Sequence, residues 1–139
     1  VESSGAGDTR GVEFTERERY YLASQRLARL ATVNPKGQPD VAAVGLHFDG
    51  EAFVIGGLDL PSTIKYRNVR KSPLVALTID DLESVEPWKP RGIKIHGTAE
   101  IVQRGSREVM RVTPTRKWSW GINGAVWEDG VFRVDRSGG

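Results

Sequence analysis

Gly92-Ile-Lys-Ile-His-Gly-Thr-Ala-Glu-Ile-Val102 is the stretch on which the fold turns. Ile93, Ile95, Gly97, Ala99 and Ile101 alternate with Lys94, His96, Thr98 and Glu100. A period of two places the first set on one face of an extended strand and the second on the other. A strand with one apolar and one polar face belongs to an antiparallel sheet wrapped round a core. Before it, Leu74 to Ile79 is an apolar run of strand length, and Asp80 to Lys89, acidic and Pro-flanked around Trp88, reads as a loop. After it come a short link, Gln103 to Ser106, and a further strand, Glu108 to Thr113. Trp118 to Ile122 and Val131 to Val134 read as additional extended segments.

The N-terminal half adds three strands and a helix. Thr15-Glu16-Arg17-Glu18 is a capping box, which starts a helix over Glu16 to Ser24. Arg26 to Val33 is a strand, Asn34-Pro35-Lys36-Gly37 a turn, and Val41 to Phe48 a second strand. Asp49-Gly50 signals a hairpin into a third strand, Ala52 to Gly56. Six short strands, with helices only at the start and in the middle, predict a mainly β fold: a six-stranded antiparallel split barrel with a few short helices. Gly56-Gly57 opens no Gly-x-Gly-x-x-Gly turn into a helix, so it is no dinucleotide fingerprint and argues against a Rossmann fold. Residues 1–11 are Gly/Ser-rich and read as an arm or tag remnant, and 12–139 as one domain.

Composition narrows the chemistry. The chain has 139 residues, no cysteine and a net charge of +2. Without cysteine there is no thiol nucleophile, thiolate metal site or disulfide framework. No apolar run reaches the length of a membrane span, and the expected location is the cytoplasm. His47 and His96 have no ligand or triad partner at a recognisable spacing, and no metal motif appears. Asp80-Asp81 would point in opposite directions from a strand end, which suits a turn or cap better than an acid–base dyad. The cations gather in three groups: Lys65, Arg67, Arg70 and Lys71; Lys89, Arg91 and Lys94; Arg111, Arg116 and Lys117. They are either a solvated surface or a groove for a small polyanion.

One segment is built for an anion. Pro61-Ser-Thr-Ile-Lys-Tyr-Arg-Asn-Val-Arg-Lys-Ser-Pro73 reads as a short helix between strands. Ser62 is placed to cap it, leaving the next N–H groups free. Thr63 adds a hydroxyl and Lys65 a charge within the first turn. A lysine is unfavourable at a helix start unless an anion offsets it, which makes this turn a candidate phosphate site. A protein so poor in nucleophiles, bases and metal ligands still supports redox chemistry if a cofactor carries it.

Several segments together resemble a known family. Arg26-Leu-Ala-Arg-Leu-Ala-Thr-Val33 with Asn-Pro-Lys-Gly-Gln-Pro39, Ser62 to Val69, and Ser72-Pro-Leu-Val-Ala-Leu77 are similar to the pyridoxamine-phosphate-oxidase-like split β-barrel superfamily. Asp80-Asp81-Leu82, Pro87-Trp88, Arg91 to Glu100 and Trp118-Ser-Trp-Gly121 resemble its actinobacterial branch, which depends on the deazaflavin coenzyme F420 and includes the oxytetracycline-pathway reductase. The resemblance spans about Phe14 to Ile122 and implies a homodimer with two cofactors at its interface. It matches Thr63, Lys65 and Asn68 to the cofactor phosphate, beside Ser62. It matches Val44, Gly45, Ile55, Gly56 and Gly57 to the lining of the tricyclic ring, and brings Trp88 and Trp118 towards the cofactor of the facing subunit. The short link at Gln103 to Ser106 and the unmatched tail Asn123 to Gly139 depart from the pattern.

Coenzyme F420 carries more negative charge than flavin mononucleotide, and Arg67, Arg70, Lys71 and the cations near Arg91 suit the longer anionic tail. The implied activity is hydride transfer between reduced F420 and an electron-poor C=C or similar bond of a small molecule, with no catalytic side chain identified. Two alternatives share the barrel: an FMN-dependent oxidase or reductase, and a non-catalytic carrier of a flavin or tetrapyrrole. A single-stranded nucleic-acid binder would need a stronger positive charge than +2. No nucleic acid or membrane partner is expected.

Overall fold

A computed structural model describes residues 12–138, so the arm read in residues 1–11 lies outside the described residues. The elements are α1 (Glu16–Ser24), β1 (Leu27–Val33), β2 (Pro39–Gly45), β3 (Phe53–Ile55), a 3-10 turn (Leu60–Ser62), α2 (Ile64–Lys71), β4 (Leu74–Ser84), β5 (Lys89–Arg104), β6 (Arg107–Trp120), β7 (Trp127–Glu128), β8 (Val131–Phe132) and β9 (Asp135–Gly138). The main sheet runs β2-β1-β4-β5-β6-β3, every pairing antiparallel, and β9 adds to β6 beyond the end of β3.

The alternation in β5 is realised: Ile93, Ile95, Gly97 and Ala99 are buried, while Lys94, His96, Thr98 and Glu100 are exposed. Their inward side chains meet Leu30, Leu77, Ile79, Phe53, Ile55, Met110 and Val112 in one core. The capping box at α1 also forms, with Thr15 Oγ1 accepting from the Glu18 N–H at 3.1 Å and Glu18 Oε1 from the Thr15 N–H at 2.9 Å.

Three expectations change. The Asp49-Gly50 turn forms, closed by the Asp49 carboxylate, which accepts from the Glu51 and Ala52 N–H groups at 2.9 and 2.8 Å. It does not make a β2–β3 hairpin: only one bridge, Phe48–Phe53, joins the two, and β3 pairs with β6. That bridge brings the last strand of the sheet back to the first and so closes the barrel. Phe14, Phe48 and Phe53 pack their rings at the seam, with centroids 4.8 and 6.1 Å apart.

The stretch read as a loop from Asp80 is strand as far as Ser84, because Asp80, Asp81 and Leu82 pair with Gly92, Arg91 and Pro90. The Asp80–Asp81 pair therefore lies in β4 rather than in a turn or cap. The expected divergence of its side chains holds: Asp80 faces Arg29 at 3.8 Å, while Asp81 is bound by Arg91. The separate segments Glu108–Thr113 and Trp118–Ile122 are joined in the single strand β6, which ends at Trp120.

Candidate functional site

α1, β2 and β3 converge on a groove of about 720 Å³. The end of α1 contributes Ala23 to Arg26, the end of β2 contributes Gly45 to His47, and β3 contributes Val54 with Gly56 and Gly57 just beyond it. A hydrogen bond from the Val54 N–H to the His47 carbonyl, 2.8 Å, holds the two walls together. The groove is wide where side chains are missing. A Cβ built on Gly45 or on Gly57 has no atom within 4 Å, and one on Gly56 meets only Val109 at 3.8 Å. Added methyl groups would project into open space that a flat ring can use.

The ring-lining residues expected from the sequence divide here. Gly45, Gly56 and Gly57 line the groove. Val44 and Ile55, at 6% and 1% exposure, turn their side chains into the core. Gln25, Arg26, Leu46 and His47 also line the groove and were not singled out as ring-lining. Arg26 and Gln25 sit at a helix–strand joint, and His47 lies past the end of β2; no local spacing reveals that such segments meet.

From Gly57 the chain runs within three residues into the 3-10 turn and α2. The cap of α2 is Thr63, not Ser62: Thr63 Oγ1 accepts from the Tyr66 N–H at 3.3 Å. The 3-10 turn displaces the helix start by one residue, and the Ser62 hydroxyl donates instead to the Asp59 carbonyl at 3.0 Å. The Thr63 hydroxyl proton is directed to the Leu60 carbonyl at 2.7 Å. The N–H groups of Ile64 and Lys65, and the Lys65 ammonium, have no partner among the described residues. Those three donors make the first turn of α2 receptive to an anion. Asn68 is 5% exposed and spends its amide on Thr32 Oγ1 at 2.9 Å, tying α2 to β1.

The two tryptophans lie elsewhere. Trp88 follows the cis Glu86–Pro87 bond at the tip of the β4–β5 hairpin, 54% exposed, and its carbonyl accepts from the Trp127 indole at 3.1 Å. Trp118 stands on the outer face of β6. Lys94 Nζ lies 4.3 Å from its ring centroid, Arg116 Cζ 4.8 Å, and the His96 ring 4.7 Å.

The three cation groups do not form one groove. Lys117 is buried against Glu18, and Arg111 pairs with Asp49 and Glu51. Arg91 grips Asp81 through two bonds of 2.7 and 3.0 Å. That guanidinium, opposed by burial and helped by Tyr21 and Gln25, holds the Asp81 carboxyl below its ordinary range. Burial and the hydrogen bond that the Tyr21 hydroxyl donates to the Asp81 carboxylate push the phenol upward, so it stays a neutral donor. Arg67, Arg70 and Lys71 remain exposed on α2.

Residues 14–121 match the pyridoxamine 5'-phosphate oxidase family. A reductase of Streptomyces rimosus subsp. rimosus that acts on 5a,11a-dehydrotetracycline and 5a,11a-dehydrooxytetracycline is 37% identical over 121 residues, 80% of this chain and 85% of the reductase. Among solved structures, an F420 reductase superposes with a TM-score of 0.61 at 23% identity, covering 75% of this chain and 98% of its own. The heme storage protein of Vibrio cholerae superposes with a TM-score of 0.59 at 14% identity, covering 74% and 91%. At these identities the two structures establish the fold alone.

Proposed function

The chain belongs to the pyridoxamine 5'-phosphate oxidase family, and from that premise we propose that it is an oxidoreductase that moves a hydride between reduced coenzyme F420 and an electron-poor C=C or similar bond of a small molecule. One observation carries this reading: a groove floored by glycines leads within a few residues to a helix start whose lysine and two N–H groups are unengaged. A flat ring at one end and a phosphate at the other match that layout.

The residues present fit such a cofactor. Gly45, Gly56 and Gly57 would accept the ring, and Lys65 with the Ile64 and Lys65 N–H groups would hold the phosphate. Thr63 and Asn68 contribute by fixing the helix start and its seat on β1 rather than through free donors. When bound, a reduced deazaflavin supplies the hydride. The protein contributes orientation, because reacting atoms held face to face recover much of the entropy a bimolecular encounter loses. Leu46 and Val54 add apolar wall beside the ring.

A homodimer belongs to this proposal. The outer faces of β1, β2 and β4 expose Leu27, Val41 and Leu74 at 53%, 68% and 66%. They continue through Ala31, Ala76 and His96 in register to Arg116, beside Trp118. A second protomer laid on that apolar face would bring the Trp118–Lys94–Arg116 cluster towards the partner's ligand. Light scattering at twice the chain mass checks this.

FMN would engage the same helix start, and on the tetrapyrrole reading His47, which lines the groove, would be the iron ligand. The discriminating experiment follows oxidation of reduced F420 by a panel of unsaturated acceptors that includes dehydrotetracycline. Turnover that requires F420 supports the proposal. Turnover with FMN alone, or a heme complex through His47 without turnover, would replace it.

A further inference from the structure

The glycine-floored groove has a second, polar end. At the Phe48–Phe53 bridge the chain through β3 runs antiparallel to the end of β2. Gly56 and Gly57 therefore lead towards α2, while His47 lies at the opposite end. The Leu46 N–H donates to the Arg26 carbonyl at 2.9 Å, which sets Arg26 level with that end. We infer that Arg26 is a catalytic residue: its guanidinium holds the oxygen of a carbonyl conjugated to the acceptor's C=C and stabilises the negative charge that hydride addition puts there. The inference rests on the oxidoreductase reading.

Arg26 is exposed, lines the groove, and has no ion pair or side-chain hydrogen bond among the described residues. Other cations of the chain are already spent: Arg91 on Asp81, Arg111 on Asp49 and Lys117 on Glu18. The Asp81 carboxylate is met by Arg91 and by the Gln25 amide at 3.2 Å, not by Arg26. No Asp or Glu lines the groove, so the Arg26 charge stands there without a counter-charge. A guanidinium keeps that charge at any working pH.

The main chain fixes the position while leaving the side chains free. Leu27 pairs with Gly45 at the start of β1, and the Leu46–Arg26 bond extends that ladder by one residue. The Val54 N–H bond to the His47 carbonyl, 2.8 Å, holds the facing wall. The His47 ring has no partner among the described residues and offers a second N–H to the same oxygen.

Electrostatics decides what Arg26 faces. The phosphate of the cofactor is provided for at α2. Hydride transfer moves negative charge from the cofactor to the acceptor, so the acceptor is where charge develops. A fixed cation aimed at developing charge, in a site with no competing anion, is worth most in the transition state.

The step balances with water as the only further reactant. Hydride adds to the β-carbon of the acceptor, and the C=C electron pair shifts towards the carbonyl, whose oxygen becomes an enolate oxygen on Arg26. Water entering past the exposed Gly45 and Gly57 then protonates the α-carbon, and the C=O bond reforms. The acceptor is reduced by two electrons and the cofactor oxidised by two. A C=C that carries no conjugated oxygen gives Arg26 nothing to hold.

Arg26→Gln and Arg26→Lys are compared with wild type in the full chain, loaded with F420 and, in parallel, with FMN. Calorimetric titration with p-nitrophenolate, a stable planar stand-in for an enolate, reads the site without turnover. Wild type should bind it about tenfold or more tightly than Arg26→Gln, with Arg26→Lys between them, whereas neutral p-nitroanisole should bind all three alike. In steady-state reduction of cyclohexenone, Arg26→Gln should lose about a hundredfold in kcat while KM changes less than about threefold, and Arg26→Lys should recover part of the loss. Cofactor affinity and melting temperature should hold, since the side chain is exposed and unpaired among the described residues. Equal p-nitrophenolate affinities for wild type and Arg26→Gln, a loss confined to KM, or cyclohexenone left unreduced by wild type with either cofactor would overturn the inference. If turnover requires FMN instead of F420 and still depends on Arg26, the site stands and the F420 reading falls. If F420-dependent turnover is unchanged in Arg26→Gln, the inference falls and that reading stands.

Discussion

Glu18 does two jobs, and only one of them is written locally. As the N3 residue of the capping box it accepts a bond from the Thr15 N–H. At 1% exposure it also accepts from Lys117 Nζ, from Ser119 Oγ at 2.6 Å and from Asn123 Nδ2 at 2.8 Å. Burial would raise its pKa, but these donors and the Thr15 N–H outweigh burial and hold the carboxyl below its ordinary value. A depressed carboxylate stabilises the fold fully above its unfolded pKa, about 4.3, and that stability is lost as pH falls through the folded pKa. Glu18→Gln leaves Lys117 buried without its counter-charge and should cost about 3–5 kcal/mol at pH 7. In urea melts the gap from wild type should begin to shrink below the unfolded value of about 4.3 and narrow further as pH falls through the lower folded pKa. Equal midpoints at pH 7 would refute the role. The capping box was legible because its partners are three residues apart. The mooring was not, because Lys117, Ser119 and Asn123 lie 99, 101 and 105 residues away. The sequence reading accordingly grouped Lys117 with surface cations.

At the scale of elements, the start of α2 and the β4–β5 hairpin show where local chemistry misleads. Ser62 and Thr63 are both capping residue types, and the choice between them depends on the 3-10 turn Leu60–Ser62, which puts the first helical residue at Ile64. Thr63→Ala should destabilise the protein by about 1 kcal/mol, while Ser62→Ala should cost under about 0.5 kcal/mol. Chemical unfolding of the two variants side by side checks this; equal losses would return the cap to Ser62. The residues Asp80 to Ser84 look like a loop because they are acidic. They are strand because β5 supplies cross-strand partners, Arg91 for Asp81 above all. β5 itself was legible because its alternation is long and uninterrupted. The pairing of β3 with β6 was not, since three residues carry no signal for a partner more than fifty positions away.

At the scale of the whole molecule, the barrel gathers segments that are far apart in sequence into hollows on either side of α1, with Ser24 lining both. The lysine of α2 could be picked out from residue type, because a charge in a first helical turn is a property of a single position, whereas the glycines of the first hollow were pointed to by the family resemblance. Which side chains turn inward, as Val44, Ile55 and Asn68 do, depends on strand register and helix seating. The proposed function depends on the groove and the helix start acting as one site. A ring bound in the groove without its phosphate at α2 would leave Lys65 idle.

Equilibrium titration of F420 into wild type and Lys65→Ala, with FMN run in parallel, tests this most directly. Wild type should bind F420 more tightly than FMN, and Lys65→Ala should lose about tenfold or more in F420 affinity, about 1.4 kcal/mol, with an unchanged melting temperature. Identical F420 affinities for the two proteins would contradict the account, and so would wild-type protein that binds only FMN.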